Sequence, residues 1–401
     1  MSQFAHGISA LDFAHPSTLE TPVWLLGKTY TDTDAEAYKA AFESILWFTY
    51  RRDFDKMEPY EYTSDAGWGC MLRTAQMMLG QALQRRLLGR EWRVPLFSTE
   101  KLPDKYVSLI KWFVDSPQAE CLYSIHNMVK LGLQYDKLPG EWYGPTTAAQ
   151  VLRDLVNLHS REFGGTLAMY VPQEGVVYSD DVQKLVVSHA DDENGSTQTE
   201  VNADVAFYDP LLNPPKNERE KEWSRALLVL IPLRLGLDCL NESYVPALEK
   251  TFTFPQSVGI IGGKKGHSVY FVGSQMQRLH LLDPHEVHPT TEINATFPTA
   301  THLRTVHPPH PLVMNVQSID PSMALGFLCE TRAEYLDFCS RVREMQREFG
   351  AMCPFSVADR RPDYASSDME LMMTDCMLSG DSMHEDDTRN EESDEEEYVL
   401  I

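Results

Sequence analysis

Residues 63–89 read TSDAGWGCMLRTAQMMLGQALQRRLLG, and the fold turns on what begins at Cys70. Apolar residues at Leu72, Ala75, Met78, Leu79, Ala82 and Leu83 recur at helical spacing, and Gly89 supplies a stop. The spacing predicts an amphipathic helix over Cys70–Leu88, preceded by a tight turn at Gly67 and Gly69. A thiol at a helix start lies over free N–H groups at the positive end of the dipole. That placement lowers a cysteine pKa from roughly 8.5 toward neutrality, and the same amides can hold an oxyanion. A single cysteine taken alone is more often a buried structural residue. The flanking glycines and the helix onset make Cys70 a candidate nucleophile. The other cysteines read as structural: Cys329 lies in an apolar strand and Cys339 in a helix pattern. Cys121 and Cys239 lack a glycine turn, and Cys353 and Cys376 lie near or in the C-terminal tail.

Working outward, Pro22–Tyr30 reads as a short buried strand, and Thr33 with Glu36 as a capping box opening a helix to about Leu46. Helices are expected around Asp104–Phe113, Ser124–Leu133 and Thr146–Leu158. Strands then dominate, at Leu167–Val171, Leu227–Leu233, Val258–Ile261, Val269–Val272, Leu279–Leu282 and Leu325–Cys329. Thr331 and Glu334 form a second capping box, for a last helix to about Phe349. Helices first and strands later predict an α+β fold. Residues 189–220 are polar, with Asn-Gly and Pro-Pro, and read as a surface insertion.

The second chemical motif is LHLLDPHEVH, Leu279–His288. Proline forbids a continuing helix, so Asp283 and His285 stand at i and i+2 in extended backbone, on one face. Their Cβ atoms are then roughly 6–7 Å apart. The carboxylate can reach one imidazole nitrogen and leave the other for a thiol, the orienting role a triad needs. Alone, Asp-Pro is equally a surface turn. A divalent metal on His280, Asp283, His285 and His288 is the rival reading. Against it, His280 and His285 have opposite parity on a strand, and no metal is expected.

The net charge is −24. From Asp359 to the end, 15 acidic and 3 basic residues give −12, half the excess, so that tail is expected to be disordered. This balance argues against nucleic acid and anionic membrane as primary ligands and suits a partner with a basic face. No run of about 18 apolar residues suggests a membrane span, and Met1–Leu19 lacks a secretory signal pattern. The 7 cysteines show no CxxC pair, which predicts a reducing cytosol.

At these motifs the chain resembles the autophagins, the autophagy-related cysteine proteases. The matching stretches are PVWLLGKTY, LWFTYRRDF, TSDAGWGCMLRTAQMMLGQAL, EWYGPTTAAQVL, LIPLRLGLDCLNESYV, FPQSVGIIGGKKGHSVYFVG, LLDPH and LDFC, in family order from Trp24 to Phe355. The resemblance implies a papain-like cysteine protease core with a small additional α/β subdomain, over about residues 21–357. A flexible segment 1–20 would precede it, and the acidic tail 358–401 would follow. It implies a nucleophile at Cys70, an orienting acid at Asp283 and a base at His285. Tyr50 matches a tyrosine that joins the oxyanion hole with the Cys70 amide, and Trp142 a tryptophan that roofs the cleft. Residues 259–266, with Gly262, Gly263, Gly266 and two lysines, match a mobile lid and compose a flexible surface loop.

The implied activity cuts after a C-terminal glycine in a ubiquitin-like autophagy modifier and releases that modifier from phosphatidylethanolamine, without a cofactor. The alternative is a catalytically silent adaptor that binds the modifier through its tail. Two departures stand out: Thr74 replaces a second cysteine that some members carry, and Lys265-Gly266-His267 differs from the family's lid. The end of the chain, EESDEEEYVLI, resembles a short motif that binds autophagy modifiers, with Tyr398 and Ile401 as its apolar anchors. The expected protein is monomeric and cytoplasmic, and meets membrane only transiently.

Overall fold

The runs ALLVLI at 226–231 and MALGFLC at 323–329 show no polar alternation, the pattern of strands buried on both faces. The computed structural model describes residues 21–95, 101–163, 167–187 and 223–362. The segment 1–20, the insertion expected at 189–220, and the tail from 363 with Tyr398 and Ile401 lie outside the described residues.

In chain order the elements begin with β1 (Val23–Leu25), β2 (Lys28–Tyr30), α1 (Ala35–Glu43), β3 (Tyr50–Met57), β4 (Tyr62–Ser64) and α2 (Cys70–Leu88). Next come α3 (Asp104–Lys111), α4 (Ile125–Gly132), α5 (Pro145–Phe163), β5 (Leu167–Tyr170), β6 (Val176–Tyr178), α6 (Ser179–Val186) and β7 (Ala226–Arg234). Then follow α7 (Val245–Thr251), β8 (Ser257–Lys264), β9 (His267–Gln275), β10 (Arg278–Leu282), β11 (Val287–Pro289) and α8 (Ala300–Arg304). The described chain ends with β12 (Leu312–Asn315), β13 (Ser322–Cys329), α9 (Arg332–Phe349) and β14 (Ser356–Ala358).

The main sheet runs β12-β10-β9-β8-β13-β7-β5, with the β1–β2 hairpin on β9. Its pairs are antiparallel except β5–β7. Leu228, Leu230 and Leu328 face a core shared with α2 and α5. Leu227, Val229, Ile231 and Phe327 face a second core with α6, α7 and α9. Strand periodicity therefore feeds two cores, and the fold is mixed α+β around a sheet-rich centre. A small sheet, β11-β3-β4, lies beside the main one and carries Tyr50 at the start of β3.

Helix α2 begins and ends where its sequence indicates, with Gly69 at the N-cap and Gly89 at φ 86°. It is not a surface amphipathic helix, because every residue from Cys70 to Arg85 is buried. Several polar groups on it find protein partners instead of water: Gln76 Nε2 donates to Tyr123 O at 2.7 Å and Gln84 Nε2 to Ser44 O at 3.0 Å. Apolar side chains such as Leu72 and Leu79 are fully buried, each worth about 1.5–3 kcal/mol.

Three expectations change. Pro22–Tyr30 is a two-residue hairpin rather than one strand, because Leu26 (φ 48°) and Gly27 (φ 82°) both turn left-handed. The cap before α1 is Thr31 with Asp34, whose Oδ2 accepts from Thr31 N at 3.0 Å and Thr31 Oγ1 at 2.8 Å, and the helix stops at Glu43. At α9, Thr331 Oγ1 accepts from Glu334 N at 3.2 Å as read, but Glu334 Oε2 accepts from Glu330 N at 2.7 Å, one residue earlier than a capping box requires.

Candidate active site

The turn before α2 is built on Asp65. Its carbonyl accepts from Gly69 N at 2.9 Å and Trp68 N at 3.2 Å. A Cβ on residue 69 would lie 2.3 Å from Asp65 Oδ2, so the close approach demands glycine there. Cys70 follows as the first helical residue, buried at 6% exposure, with the unpaired N–H groups of the first turn at its back.

Beyond β10 the chain runs extended through Asp283, Pro284 and His285. Asp283 Oδ1 accepts from the His285 ring Nδ1–H in a short bond and from the His285 backbone N at 3.1 Å. Two donors from the α1–β3 region pin this segment: Trp47 Nε1 to Asp283 O at 2.7 Å, and Tyr50 N to Pro284 O at 2.9 Å. With Nδ1 committed to the carboxylate, the buried Nε2 has no full hydrogen bond of its own and is left to the Cys70 sulfur. The Tyr50 ring stands edge-on to His285, centroids 5.4 Å apart, and its hydroxyl interacts with the same sulfur.

The electrostatics follow. Burial pushes the Cys70 thiol up, but His285, the backbone N–H of Ser268 and the Tyr50 hydroxyl overcome it, and the thiol is drawn below its ordinary value. Burial pushes His285 down, but Asp283 and Cys70 prevail and hold the ring protonated up to about 9. The pair favours thiolate and imidazolium. Burial and the Cys70 charge keep Tyr50 a neutral phenol, able to donate. The contrast with other cysteines is direct: burial raises Cys121 to about 12 and also raises Cys329 and Cys353.

Cys70 opens on a cleft of about 280 Å³ lined by Trp68, Trp142, Gly262, Gly263 and Ser268 among others. Trp142 is 59% exposed, its Nε1 donating to Gly67 O at 2.9 Å, while its ring lies about 3.0 Å from where a Gly266 Cβ would be. It spans the gap between the Cys70 turn and the β8–β9 turn.

The flexible loop expected at 259–266 is mostly strand. Residues 259–264 belong to β8, and Gly262 and Gly263 are buried in it; only the turn into β9 remains loop. The glycines serve close packing: Gly263 has φ 147°, and a Cβ there would be 2.0 Å from His267 O. The rival metal set is dispersed. Fully buried His280 pairs through Nδ1 with Tyr38 Oη at 2.6 Å, and His288 sits 3.4 Å from Glu286. Among the described residues no group of three or more potential ligands gathers.

Sequence reasoning missed Ser268, which acts through a backbone N–H that no residue type announces. It missed His267 as a neighbour of His285, ring centroids 5.0 Å apart. It also missed that Thr74 bonds Ser268 Oγ at 2.8 Å.

The chain matches the Peptidase C54 catalytic domain over residues 35–341. It is similar to cysteine protease ATG4B of Gallus gallus, 34% identical over 389 residues, covering 96% of this chain and 95% of the relative. Cysteine protease ATG4A of Bos taurus is 35% identical over 352 residues, 85% of this chain and 83% of its own. Cysteine protease ATG4A of Oryza sativa subsp. indica is 37% identical over 355 residues, 83% and 69% respectively. With a domain match across most of the described fold and relatives alike over most of their length, this chain belongs to the peptidase C54 family of cysteine proteases, the autophagins its motifs resemble.

Proposed function

We propose that the protein cuts a ubiquitin-like autophagy modifier after its C-terminal glycine and releases the same modifier from phosphatidylethanolamine. The observation that carries this reading is the Cys70 sulfur set between His285 and Tyr50 in a cleft bridged by Trp142 against Gly266. In a papain-like arrangement of this kind, the thiolate attacks the glycine carbonyl, and the oxygen gathers negative charge. The Tyr50 hydroxyl and the Cys70 N–H receive that charge. His285 Nε2–H gives its proton to the departing amine, a peptide nitrogen in the precursor or ethanolamine nitrogen in the lipid conjugate. Both substrates share the acyl half, so one site serves both. Water then attacks the thioester, with His285 Nε2 taking its proton, and the glycine carboxylate leaves.

A Trp142 bridge over the cleft favours glycine at the scissile position, because a larger side chain would meet the indole. The bridge must lift for the substrate tail to thread beneath it. We place the protein in the cytosol, where a reducing milieu keeps Cys70 competent, and we assign Tyr398 and Ile401 to holding the modifier near the cleft. The test is processing of a modifier precursor and of a phosphatidylethanolamine conjugate on vesicles by wild type and Cys70→Ser. Loss of both activities in the variant is expected. Cleavage of the precursor with the conjugate left intact would separate the two activities and refute the second.

A further inference from the structure

One buried carboxylate links the Cys70 turn, the Tyr50 strand and the Asp-Pro-His segment, and nothing in the chemistry above uses it. Asp65 is fully buried. Its Oδ1 accepts from the backbone N of Arg51 at 2.7 Å and from Arg73 Nη2 at 2.9 Å, and its Oδ2 accepts from Arg73 Nε at 2.7 Å. Its own N donates to Arg51 O at 3.2 Å, and its carbonyl holds the Gly69 turn. Arg51 follows Tyr50, whose N donates to Pro284 O, between Asp283 and His285. A continuous path therefore runs from the Cys70 turn through Asp65 to the Tyr50 strand and on to the Asp-Pro-His segment.

Arg73 stands one turn after Cys70 on α2. Its fork clamps Asp65 on one side, and its Nη1 reaches Asp115 Oδ1 at 2.9 Å and Gln76 Oε1 at 3.1 Å on the other. The side chains of Arg73, Asp65 and Asp115 are 1%, 0% and 4% exposed. Arg51 is buried too, its guanidinium giving Nη2 to Thr305 O at 2.8 Å and Nη1 to Thr305 Oγ1 at 3.0 Å. Burying such charges is costly, and replacing buried ion pairs with apolar groups is often neutral or stabilising. What this network supplies that an apolar core would not is fixed direction: bidentate bonds hold Asp65 in one orientation.

We propose that Asp65, locked by Arg73, which Asp115 holds from its other side, is a positioning residue that sets the Tyr50 hydroxyl against the Cys70 sulfur and the developing oxyanion. It acts through Tyr50 and touches no substrate. The proposal rests on the reading of Cys70 as nucleophile and Tyr50 as oxyanion donor. Asp65→Asn sets an amide NH2 against an Arg73 N–H in either amide orientation, donor against donor, so the two-pronged clamp is broken and the fixed direction of residue 65 toward Arg51 is lost.

The test is a double-mutant cycle on precursor cleavage with Tyr50→Phe, alongside thermal unfolding and the rate at which iodoacetamide alkylates Cys70. A misplacement on this scale costs about 10²-fold in turnover, with KM unchanged. In Tyr50→Phe, itself slowed by roughly 10²–10³-fold, Asp65→Asn is expected to cost less than about threefold, because the group it positions is gone. Alkylation of Cys70 in Asp65→Asn stays within about threefold of wild type, since the His285 pairing persists. Equal losses in the two backgrounds, or cleavage near the wild-type rate in Asp65→Asn, overturn the proposal. Should Asp65→Asn fail to fold, Arg73→Lys carries the same cycle, keeping the charge but losing the fork. If neither folds, the network is structural and the proposal fails. Cleavage surviving in Cys70→Ala fails the functional reading along with it, whereas a dead Cys70→Ala with additive losses fails the network alone.

Discussion

Asp283→Asn removes the larger of the two influences, Asp283 and Cys70, that hold the His285 ring protonated, while burial, which pushes the ring down, remains. The folded pKa of His285 is raised from 6.5 to about 9. At about pH 7.5 a pKa of 9 keeps roughly thirty rings protonated for each neutral one, and an ordinary 6.5 would leave about one in ten protonated. The population holding thiolate with imidazolium therefore falls by about tenfold from ionisation alone. Lost orientation of the ring adds to that deficit. The sign is fixed by the direction of the shift: the protonated ring, and the stability it contributes, are fully present below 6.5 and are lost as pH rises through about 9. Cleavage of a modifier precursor by wild type should therefore have a basic limb near 9. In Asp283→Asn that limb moves to the neutral range or below, and activity at neutral pH drops by tenfold or more. The assay is initial rate against pH for both proteins, with iodoacetamide alkylation of Cys70 as a check that a thiolate still forms. A basic limb that stays near 9 in the variant would show that Asp283 does not set the His285 proton.

Trp142→Ala should weaken discrimination between precursors carrying glycine and alanine at the scissile position by about tenfold, and equal discrimination in the two proteins would remove Trp142 from the roof. Gly263→Ala forces a Cβ to 2.0 Å from His267 O at φ 147°. It should destabilise the fold by about 1–3 kcal/mol, read as a fall of several degrees in Tm; an unchanged Tm would contradict the packing argument. Tyr398→Ala with Ile401→Ala should weaken modifier binding and slow processing at low substrate, with the deficit shrinking at saturation. Modifier affinity equal to wild type at low salt would leave the tail as a solubilising segment.

Helix α2 was legible because its period and both its glycine boundaries are local signals. Its burial on the polar side was not, since only the surrounding elements decide whether Gln76 and Gln84 meet water or a carbonyl. Apolar runs marked the strands but carried no information on their neighbours, so the order β8-β13-β7 emerges only in the fold. Asp283 and His285 could be paired from their spacing on one face. The β1–β2 hairpin was hidden because Leu26, a residue that rarely turns left-handed, does so there. The strand at 259–264 is hidden for another reason. Glycine richness suggests a loose loop, but a Cβ on Gly262 would lie 3.1 Å from Met323 Cβ, and the residue type records tight packing. Ser268 and Asp65 contribute through backbone groups or through partners distant in sequence, which a linear pattern does not display.

The most direct measurement is the identity of the covalent intermediate. Precursor mixed with purified protein and quenched in acid within a turnover should yield, by intact and peptide mass spectrometry, a thioester on Cys70. Its added mass should equal the modifier ending in glycine, less one water. Asp283→Asn should accumulate the adduct more slowly, and Cys70→Ser should show neither thioester nor rapid product. Product formation at the wild-type rate in Cys70→Ser, or an adduct on any other residue, would contradict the assignment of Cys70 as the nucleophile.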